Sequence, residues 1–517
     1  MQKQSAVASV TDDSAEPGVW RFAKASRVRV IVDAADYFDL MQQAMLKAHS
    51  RVLLIGWDFD TRIHLTRGRR WWQKAWRRNY PSRLGSFIPW LVRHRPGLEV
   101  RILKWSIGLL RSGLRGSMLF DLIRWFPHRR IDFKIDTAHP VGCSHHQKIV
   151  VVDRRLAVCG GIDMTDRRWD TPEHRERDPR RTRPGGGLHG PWHDVTMMME
   201  GDVAEALDEL GRDRWIRAGG KPLDPLECEG ASAWPDDLEP HFENVEVGIA
   251  RTRAAYKGEP AVSEIERLFV EQIARAKHFI YAENQYFASR VIAEAISRRL
   301  VEEDPPEIVL VQPATADGWV ESQAMDPARA LLVKAIRELD KHDRFHLYTP
   351  VAGQTSIYVH AKLMIVDDEV LRIGSANFNN RSLGLDSECD VFIDCARPAN
   401  GHCAPAIRAL RHRLLAEHCD LQPEEVGELV EQAGSMAGMI AALGPDRVHT
   451  LRPFHPAELG ELESGVAERE LLDPEEPADM FVINPPRRGL FRRGSLLSRA
   501  MNRMNTRRRR ALAGRTS

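Results

Sequence analysis

The sequence has no long apolar run. No stretch reaches the roughly 18 to 20 apolar residues that a helix needs to cross a bilayer. The first residues, MQKQSAVASVTDDSAEPG, lack the apolar core of a secretory signal. We therefore expect a cytoplasmic or peripheral membrane protein, and secretion without a recognisable signal stays open as an alternative.

Cysteine patterns and an excess of one charge are missing as well. The seven cysteines are an odd number without a Cys-x-x-Cys pair, which indicates neither a disulfide framework nor a zinc site. The 74 basic and 73 acidic residues leave a net charge of +1, whereas proteins that bind polyanions usually carry a strong basic excess. We expect no nucleic-acid partner, no metal and no cofactor.

Strand-like and helix-like patterns alternate along the chain, and their order repeats. RVRVIVD, a helical pattern and VLLIGWDFD in the first half are matched by VEVGIART, a helical pattern and FIYAENQYF in the second. This alternation predicts an α/β fold with two repeats, each with a mixed, largely parallel sheet, followed by C-terminal helices. The predicted segments are a disordered N-terminus (1–24), the first repeat (25–218), a linker (219–244), the second repeat (245–420), C-terminal helices (421–456) and an acidic, then Arg-rich tail (457–517).

One motif, His-x-Lys-x4-Asp, occurs in both repeats. HHQKIVVVD contains His146, Lys148 and Asp153, and VHAKLMIVD contains His360, Lys362 and Asp367 in matching order. The 214-residue offset also superimposes neighbouring residues, namely Gly160 on Gly374, Gly161 on Ser375, Asp163 on Asn377 and Arg167 on Arg381. A lone histidine on an apolar strand is usually a structural residue, but two motifs in register with matching loops indicate a shared site.

The spacing of the motif suits phosphate chemistry. On a strand, residues two apart project from the same face, and the four apolar residues that follow predict a strand buried on both faces. One histidine can attack phosphorus while the other protonates the leaving alcohol, and no metal is required. Lys148, Lys362 and the amide of Asn377 can hold the phosphoryl oxygens, with Ser375 and Asn379 as weaker candidates.

Each imidazole also needs an acceptor that orients its other ring nitrogen. Asp194 in PWHDV and Glu388 in LDSECDV follow the two motifs at comparable places, and we predict them for this role. Asp153 and Asp367 belong to the motif and are counted with the site. Their position at strand ends favours structural hydrogen bonds over contact with substrate.

Longer blocks around the motifs resemble those of the phospholipase D family, in particular its long-chain type. The resemblance covers roughly residues 25–420 and rests on HHQKIVVVD, GGIDMTDRRWDTPEH, PWHDV, ENQYF, YVHAKLMIVDDE and GSANFNNRSLGLDSE.

The resemblance implies hydrolysis of phosphatidylcholine to phosphatidate and choline through a phosphohistidine, with transfer of the phosphatidyl group to alcohols. It implies that His146 is the nucleophile and His360 the acid and base, although the order of the two stays open. It also implies that the orienting pairs cross, Glu388 serving His146 and Asp194 serving His360. Trp319, in ADGWVESQAM, resembles a block that approaches the substrate.

These patterns predict a monomeric phospholipase D with an internal pseudo-dimer, acting transiently at a phospholipid surface. A cardiolipin synthase type phosphatidyltransferase, a nuclease of the same superfamily and a non-catalytic lipid-binding protein are the alternatives. From residue 487 onward the chain has eleven arginines and no acidic residue. That segment is interpreted as a solvated tail, or alternatively as an attachment to anionic lipid.

Overall fold

The computed structural model describes residues 18–66, 80–105, 117–227, 231–470, 473–477 and 489–513. The first repeat places three parallel strands and a returning antiparallel set in one sheet. Its elements are β1 (Arg21–Val32), α1 (Ala34–Leu46), β2 (Arg51–Gly56), α2 (Leu84–His94), β3 (Glu99–Trp105), α3 (Ser117–Trp125), β4 (Ile131–Asp136), β5 (Ile149–Val152), β6 (Leu156–Gly160), β7 (Trp192–His193), β8 (Val195–Glu200) and α4 (Asp202–Arg217).

The second repeat follows the same order of strands and helices. Its elements are β9 (Phe242–Arg253), β10 (Val262–Ser263), α5 (Glu264–Arg275), β11 (Phe279–Asn284), α6 (Arg290–Leu300), β12 (Glu307–Val311), α7 (Trp319–Leu339), β13 (Phe345–Ala352), β14 (Thr355–Ser356), β15 (Tyr358–Val359), β16 (Lys362–Val366), β17 (Val370–Gly374), a π-helical turn (Arg381–Leu385), β18 (Glu388–Asp394), a 3₁₀ turn (Pro398–Asn400) and α8 (Ala404–Cys419).

A C-terminal set packs against the second repeat. It consists of α9 (Pro423–Ala433), α10 (Met436–Leu443), β19 (His449–Pro453), α11 (Glu461–Glu468) and α12 (Leu496–Ala513). β19 extends the sheet by pairing antiparallel with β13. The part of the Arg-rich tail that the structure describes is therefore mostly helical, and Leu497 and Ala500 of α12 are buried in the apolar core of the second repeat.

The strands form one continuous series through both repeats. Its order is β4-β3-β2-β5-β6-β8-β1-β9-β18-β17-β16-β11-β12-β13-β19. The repeats meet where β1 runs antiparallel to β9, with Arg21 opposite Ile249 and Val28 opposite Phe242. The duplicated α/β fold is confirmed. Within this series of strands, parallel pairing joins three strands in each repeat, because β5 and β16 return antiparallel to β2 and β11.

Both motif strands are buried on two faces, as predicted. Ile149 and Val151 of β5 belong to a core shared by the two repeats, while Val150 and Val152 face the helices of the first repeat. β16 has the same arrangement, with Leu363 and Ile365 in the shared core and Met364 and Val366 on the other side. Each such side chain contributes on the order of 1.5 to 3 kcal/mol by leaving water. This burial fixes the two strands, and with them the residues at their starts.

The predicted segment boundaries differ from the elements at three places. β1 begins at Arg21, so residues 21–24 lie in the sheet and outside the predicted N-terminal segment. β9 begins at Phe242, inside the predicted linker, because its first residues pair with β1. The predicted C-terminal helical segment also contains the strand β19. Residues 1–17 lie outside the described part of the chain.

Candidate active site

The two motif histidines lie at the start of the two central strands. His146 precedes β5 by three residues and His360 precedes β16 by two. Each motif lysine turns its Nζ back to the carbonyl oxygen of its own histidine, at 2.8 Å for Lys148 and 2.5 Å for Lys362. The predicted placement of both histidines within a strand is therefore wrong, since regular pairing begins only at Ile149 and Lys362.

Each histidine is hydrogen-bonded into the opposite repeat by its main chain. The amide of His146 donates to Ser387 O at 2.9 Å, and the amide of His360 donates to His193 O at 2.7 Å. β15, just before His360, also pairs parallel with β7 of the first repeat. Since Ser387 precedes Glu388 and His193 precedes Asp194, these bonds bring each imidazole next to a carboxylate of the other repeat.

The side chains form crossed pairs. Nδ1 of His146 lies 3.1 Å from both carboxylate oxygens of Glu388 and 3.0 Å from Ser375 O. Nδ1 of His360 lies 2.7 Å from Asp194 Oδ2. Both carboxylates are completely buried. Because Nδ1 of each ring faces an acceptor, Nε2 is left for a substrate.

The two motifs share one electrostatic environment. Burial lowers the pKa of His146 well below its ordinary value, and the charges of Lys148 and Lys362 lower it further. Burial lowers the pKa of His360 as well, again with both lysines contributing. Both imidazoles are therefore neutral at pH 7 in the free protein. That each lysine acts on both rings shows that the two motifs converge on one site.

The orienting carboxyls respond to burial in the opposite direction. Burial raises the pKa of Asp194 to about 7 and that of Glu388 to about 8, while nearby lysine charges act against the shift. The surroundings of the two carboxyls differ at the superimposed loop positions. Gly161 leaves the space that Asp194 occupies, since a Cβ there would lie 2.0 Å from Asp194 Oδ1. Ser375, its counterpart, places its hydroxyl 2.5 Å from Glu388 Oε2.

The lysines present positive charge beside the imidazoles. Nζ of Lys148 lies 3.4 Å from Asp163 Oδ2, and Nζ of Lys362 donates to Gln285 Oε1 at 3.1 Å. Burial lowers the pKa of Lys362 to about 7. Asn377, which superimposes on Asp163, is buried, and its Oδ1 has no hydrogen-bond partner among the described residues. An oxygen only accepts hydrogen bonds, so the group of Asn377 that could hold a phosphoryl oxygen is its Nδ2 amide.

Two of the predicted substrate ligands are corrected by their contacts. Ser375 is completely buried, and its hydroxyl is engaged with Glu388 and with the amide of Cys389. Asn379 is buried too, and its Oδ1 accepts from the amide of Ser382. Ser375 therefore positions Glu388, and Asn379 braces the π-helical turn. The side chain of Trp319 lies outside the described part of the structure, although its main chain begins α7.

The motif aspartates hold the fold and do not face the substrate site. The carboxylate of Asp153 accepts from the amides of residues 49, 50 and 51 at 2.7 to 2.8 Å, at the start of β2. Asp367 accepts from the amides of residues 277, 278 and 279 at the same distances, at the start of β11. These contacts support the structural alternative stated for the two aspartates, and their inclusion among the catalytic residues stays a prediction.

Residues beyond the predicted set surround His360. The guanidinium of Arg168 lies 4.1 Å above the ring of Trp192, which in turn lies 5.1 Å from the ring of His360. Burial lowers the pKa of His360 most, followed by the charge of Lys362 and then by the charge of Arg168. The 214-residue register superimposes Arg167 on Arg381, but Arg167 is exposed and its neighbour Arg168 is buried. The GGIDMTDRRWD block contains both arginines, and the sequence alone does not show which of them is buried.

A second aromatic wall lies beside His146. Trp57, just after β2, makes an edge contact with the His146 ring, with centroids 6.2 Å apart. Trp57 stacks on Trp105 at the end of β3, with centroids 5.8 Å apart. The ends of β2 and β3 therefore face the site, and no motif in the sequence marked these tryptophans.

Comparison with known proteins agrees with this geometry. The family model described as Phospholipase D matches residues 127–295 and 326–462, which is more than half of the chain and includes both motifs. The chain belongs to the phospholipase D family.

Curated members of the phospholipase D family are similar at low identity. Phospholipase D alpha 1 of Carica papaya is 25% identical over 78% of this chain and 66% of its own length. Phospholipase D alpha 1 of Zea mays is 26% identical over the same shares. The chain thus spans slightly less than two thirds of these relatives.

Two solved structures were also matched. A phosphatidylserine synthase of Haemophilus influenzae Rd KW20 has a TM-score of 0.49 and 11% identity, covering 81% of this chain and 96% of that chain. NucT from Helicobacter pylori has a TM-score of 0.20 and 16% identity, covering 28% of this chain and 82% of that chain. Neither likeness bears on the reaction.

This phospholipase D family member also has a buried cluster of metal-type donors next to Asp194. Asp33, His174, His193 and Glu417 each offer one atom within 4.8 Å of the others. Glu417 Oε1 lies 3.0 Å from His174 Nε2 and 2.8 Å from His193 Nδ1. The sequence patterns indicated no metal, because these donors come from four separate segments and share no spacing signal.

The donor set fits a divalent cation. The outer nitrogens of the two histidines are held by carboxylates, His174 by Asp170 at 2.9 Å and His193 by Glu283 at 2.7 Å, as is usual for metal-binding histidines. Burial alone would lower the pKa of His174, but the surrounding carboxylates outweigh it and raise this pKa to about 10. This imidazole is therefore protonated at neutral pH without an ion and would have to lose a proton to bind one. Asp33, His174, His193 and Glu417 would hold the ion, and two imidazoles favour a transition ion such as Zn²⁺ over Ca²⁺. Its charge would balance the buried carboxylates.

No helix among the described residues is both long enough and apolar enough to span a membrane.

Proposed function

We propose that the protein is a phospholipase D that cleaves the distal phosphodiester of phosphatidylcholine-like lipids by way of a phosphohistidine. The observation that carries the proposal is the crossed arrangement, in which two neutral imidazoles and two lysines converge while each imidazole is held by a buried carboxylate of the other repeat. A nucleophile, an acid and a positive cradle are the groups that cleavage of a phosphodiester needs.

His146 suits the role of nucleophile. Ser375 O can only accept a hydrogen bond, so its position 3.0 Å from Nδ1 favours the tautomer with hydrogen on Nδ1. Nε2 of His146 then carries a lone pair whatever the protonation of Glu388. In the first step this lone pair attacks phosphorus, and the bond from phosphorus to the head-group oxygen breaks.

His360 suits the role of acid and base. Its Nδ1 faces Asp194 at 2.7 Å, and the Asp194 carboxylate stabilises the imidazolium form. The bound phosphodiester adds negative charge, which raises the pKa of His360 from its low value in the free protein. Protonated His360 gives its Nε2 proton to the departing alcohol, takes a proton from water in the second step, and the resulting oxygen attacks phosphorus. The bond from phosphorus to His146 breaks and phosphatidate leaves.

Lys148, Lys362 and Asn377 hold the phosphoryl oxygens in this scheme, with Arg168 as an additional cation beside His360. An alcohol that replaces water in the second step gives a phosphatidyl alcohol. Hydrolysis and transfer therefore use the same intermediate, and their ratio depends on which acceptor reaches phosphorus.

The test supplies purified protein with phosphatidylcholine vesicles and ethanol. We expect free choline and phosphatidylethanol, and no product from the His146→Ala, His360→Ala double variant. Single-stranded DNA is incubated in parallel, since a nuclease would degrade it and leave the lipid intact. No lipid product above that of the double variant, under metal-free and metal-supplemented conditions, would refute the proposal.

A further inference from the structure

Helix α3 exposes an apolar face. Leu119, Phe120, Ile123 and Phe126 are 38%, 71%, 59% and 90% exposed. At 100° per residue they cover an arc of about 120° on one side of the helix. Phe126 continues this side, because its amide still donates to Leu122 O at 3.0 Å. An exposed cluster with two phenylalanines is unusual for a surface that faces only water.

The exposed charges of residues 117–130 are all positive. Arg124 and Arg129 are exposed, and no acidic side chain bonds to either of them within the part of the chain that the structure describes. The one acidic residue between 117 and 130 is Asp121, which is buried and bound to Arg83 and Thr61. A face of Phe, Ile and Leu flanked by arginines is complementary to the boundary between head groups and acyl chains of an anionic bilayer.

Helix α3 packs against the loop after β2 and the start of α2. Asp121 bonds Thr61 Oγ1 at 2.6 Å, and Trp125 Nε1 donates to Gly85 O at 3.0 Å. Thr61 follows Trp57 by four residues, and Trp57 contacts the His146 ring. Val141, which is 78% exposed, lies in the loop between β4 and His146. The contacts of Asp121 and Trp125 hold the buried side of α3 against the loop after β2, which also carries Trp57, and they leave the apolar residues of α3 exposed.

We infer that the α3 face docks the protein on the surface of a bilayer that contains anionic phospholipid. Phe120, Ile123 and Phe126 enter the acyl boundary, and Arg124 and Arg129 bind lipid phosphates. This inference rests on the proposed function and adds a surface by which the enzyme binds the membrane that holds its substrate. Since phosphatidate is itself anionic, product formation strengthens the docking. The Arg-rich α12 is a separate surface, which packs on the second repeat through Leu497 and Ala500.

The test measures binding without turnover. The His146→Ala, His360→Ala protein is used, so that lipid is bound and not cleaved. Its co-sedimentation is measured with vesicles of phosphatidylcholine alone and with vesicles that also contain phosphatidylglycerol at a mole fraction of about 0.3. The variant Phe120→Ser, Ile123→Ser, Phe126→Ser is expected to bind at least about tenfold more weakly to the anionic vesicles, because apolar burial is lost. The matched control is Val301→Ser, Val448→Ser, two residues that are 50% and 64% exposed elsewhere. Circular dichroism and thermal unfolding establish that all variants are folded.

The same triple substitution is then placed in the active protein. Cleavage of vesicle lipid should fall with binding, whereas cleavage of a soluble short-chain phosphatidylcholine should stay unchanged. Equal binding by the triple variant and the control would overturn the inference, and so would a dimer of the wild type that the triple variant abolishes. If the wild-type protein cleaves neither the vesicle lipid nor the short-chain lipid, the proposed function is refuted, and the binding result still decides the role of α3.

Discussion

Glu388 of the second repeat lies 3.1 Å from Nδ1 of His146 in the first. Its buried carboxyl has a pKa raised to about 8, because burial outweighs the charge of Lys148. When His146 bonds to phosphorus the ring becomes cationic, and the Glu388 proton is lost more readily. The Glu388 carboxylate therefore becomes paired with a cationic His146 once the histidine has bonded to phosphorus.

Replacing Glu388 by glutamine removes that charge and keeps the shape. We expect kcat to fall by about 100-fold, as when an orienting or charge-stabilising group is lost, with little change in KM. Steady-state kinetics on a soluble lipid measures the split, and Ser375→Ala should give a smaller loss. Full activity of Glu388→Gln would contradict the orienting role.

The pH dependence should report Lys362. Its pKa is lowered to about 7 by burial, so the side chain loses its positive charge as the pH rises through 7. In the free enzyme this weakens the phosphate cradle, and kcat/KM should fall on the alkaline side. A bound phosphodiester favours the ammonium form, so the fall in kcat should come at higher pH.

Lys362→Arg separates this effect from other titrations. Arginine keeps its charge through this range, so the alkaline fall of kcat/KM near pH 7 should disappear even if the rate is lower. An unchanged profile in this variant would show that another group controls the limb.

Asp153 and Asp367 should affect stability more than catalysis. Each accepts three main-chain hydrogen bonds at a strand start, and Asp367→Ala leaves those amides without their acceptor. We expect the free energy of unfolding to fall by about 2 kcal/mol, with kcat unchanged at low temperature. Urea unfolding gives the first quantity, and Asp367→Asn should recover part of the loss. A large drop in kcat without loss of stability would return these residues to the catalytic set.

Much of the architecture followed from pattern, because duplication and periodicity are properties of the chain itself. The apolar residues after Lys148 and Lys362 predicted two doubly buried strands, and the shared register predicted a shared site. The role of Ser375 could not be predicted from duplication or periodicity. The same residue type can contact substrate or hold a carboxylate, and only the 2.5 Å contact with Glu388 distinguishes the two.

The sequence also could not predict which residues the fold brings together from distant segments. Arg167 and Arg168 are adjacent in sequence, and backbone geometry alone decides which one faces Trp192. The donors Asp33, His174, His193 and Glu417 come from four separate segments without a local motif. Trp57 and Trp105 lie at strand ends, where the fold rather than a sequence signature brings them to His146.

The donor cluster predicts a response to chelation. If a divalent cation is held there, metal analysis should find about one ion per chain, and EDTA should lower Tm. His174→Gln should lower both the metal content and the response. His241→Gln is the control, because His241 is a half-buried histidine outside the cluster whose Nδ1 accepts from the Val30 amide. If the protein contains no metal and its Tm changes with neither EDTA nor added Zn²⁺, protons on the histidines balance the buried carboxylates of the cluster instead.

The central claim is that His146 attacks phosphorus and His360 supplies the proton. A soluble phosphatidyl ester of p-nitrophenol tests it directly, because this leaving group needs no acid. His360→Ala should release about one nitrophenol per enzyme in a burst and accumulate a phosphatidyl adduct on His146, seen by mass spectrometry of peptides. His146→Ala should give no burst. A burst from His146→Ala with the adduct on His360 would contradict the assignment, and no adduct in either variant would contradict covalent catalysis.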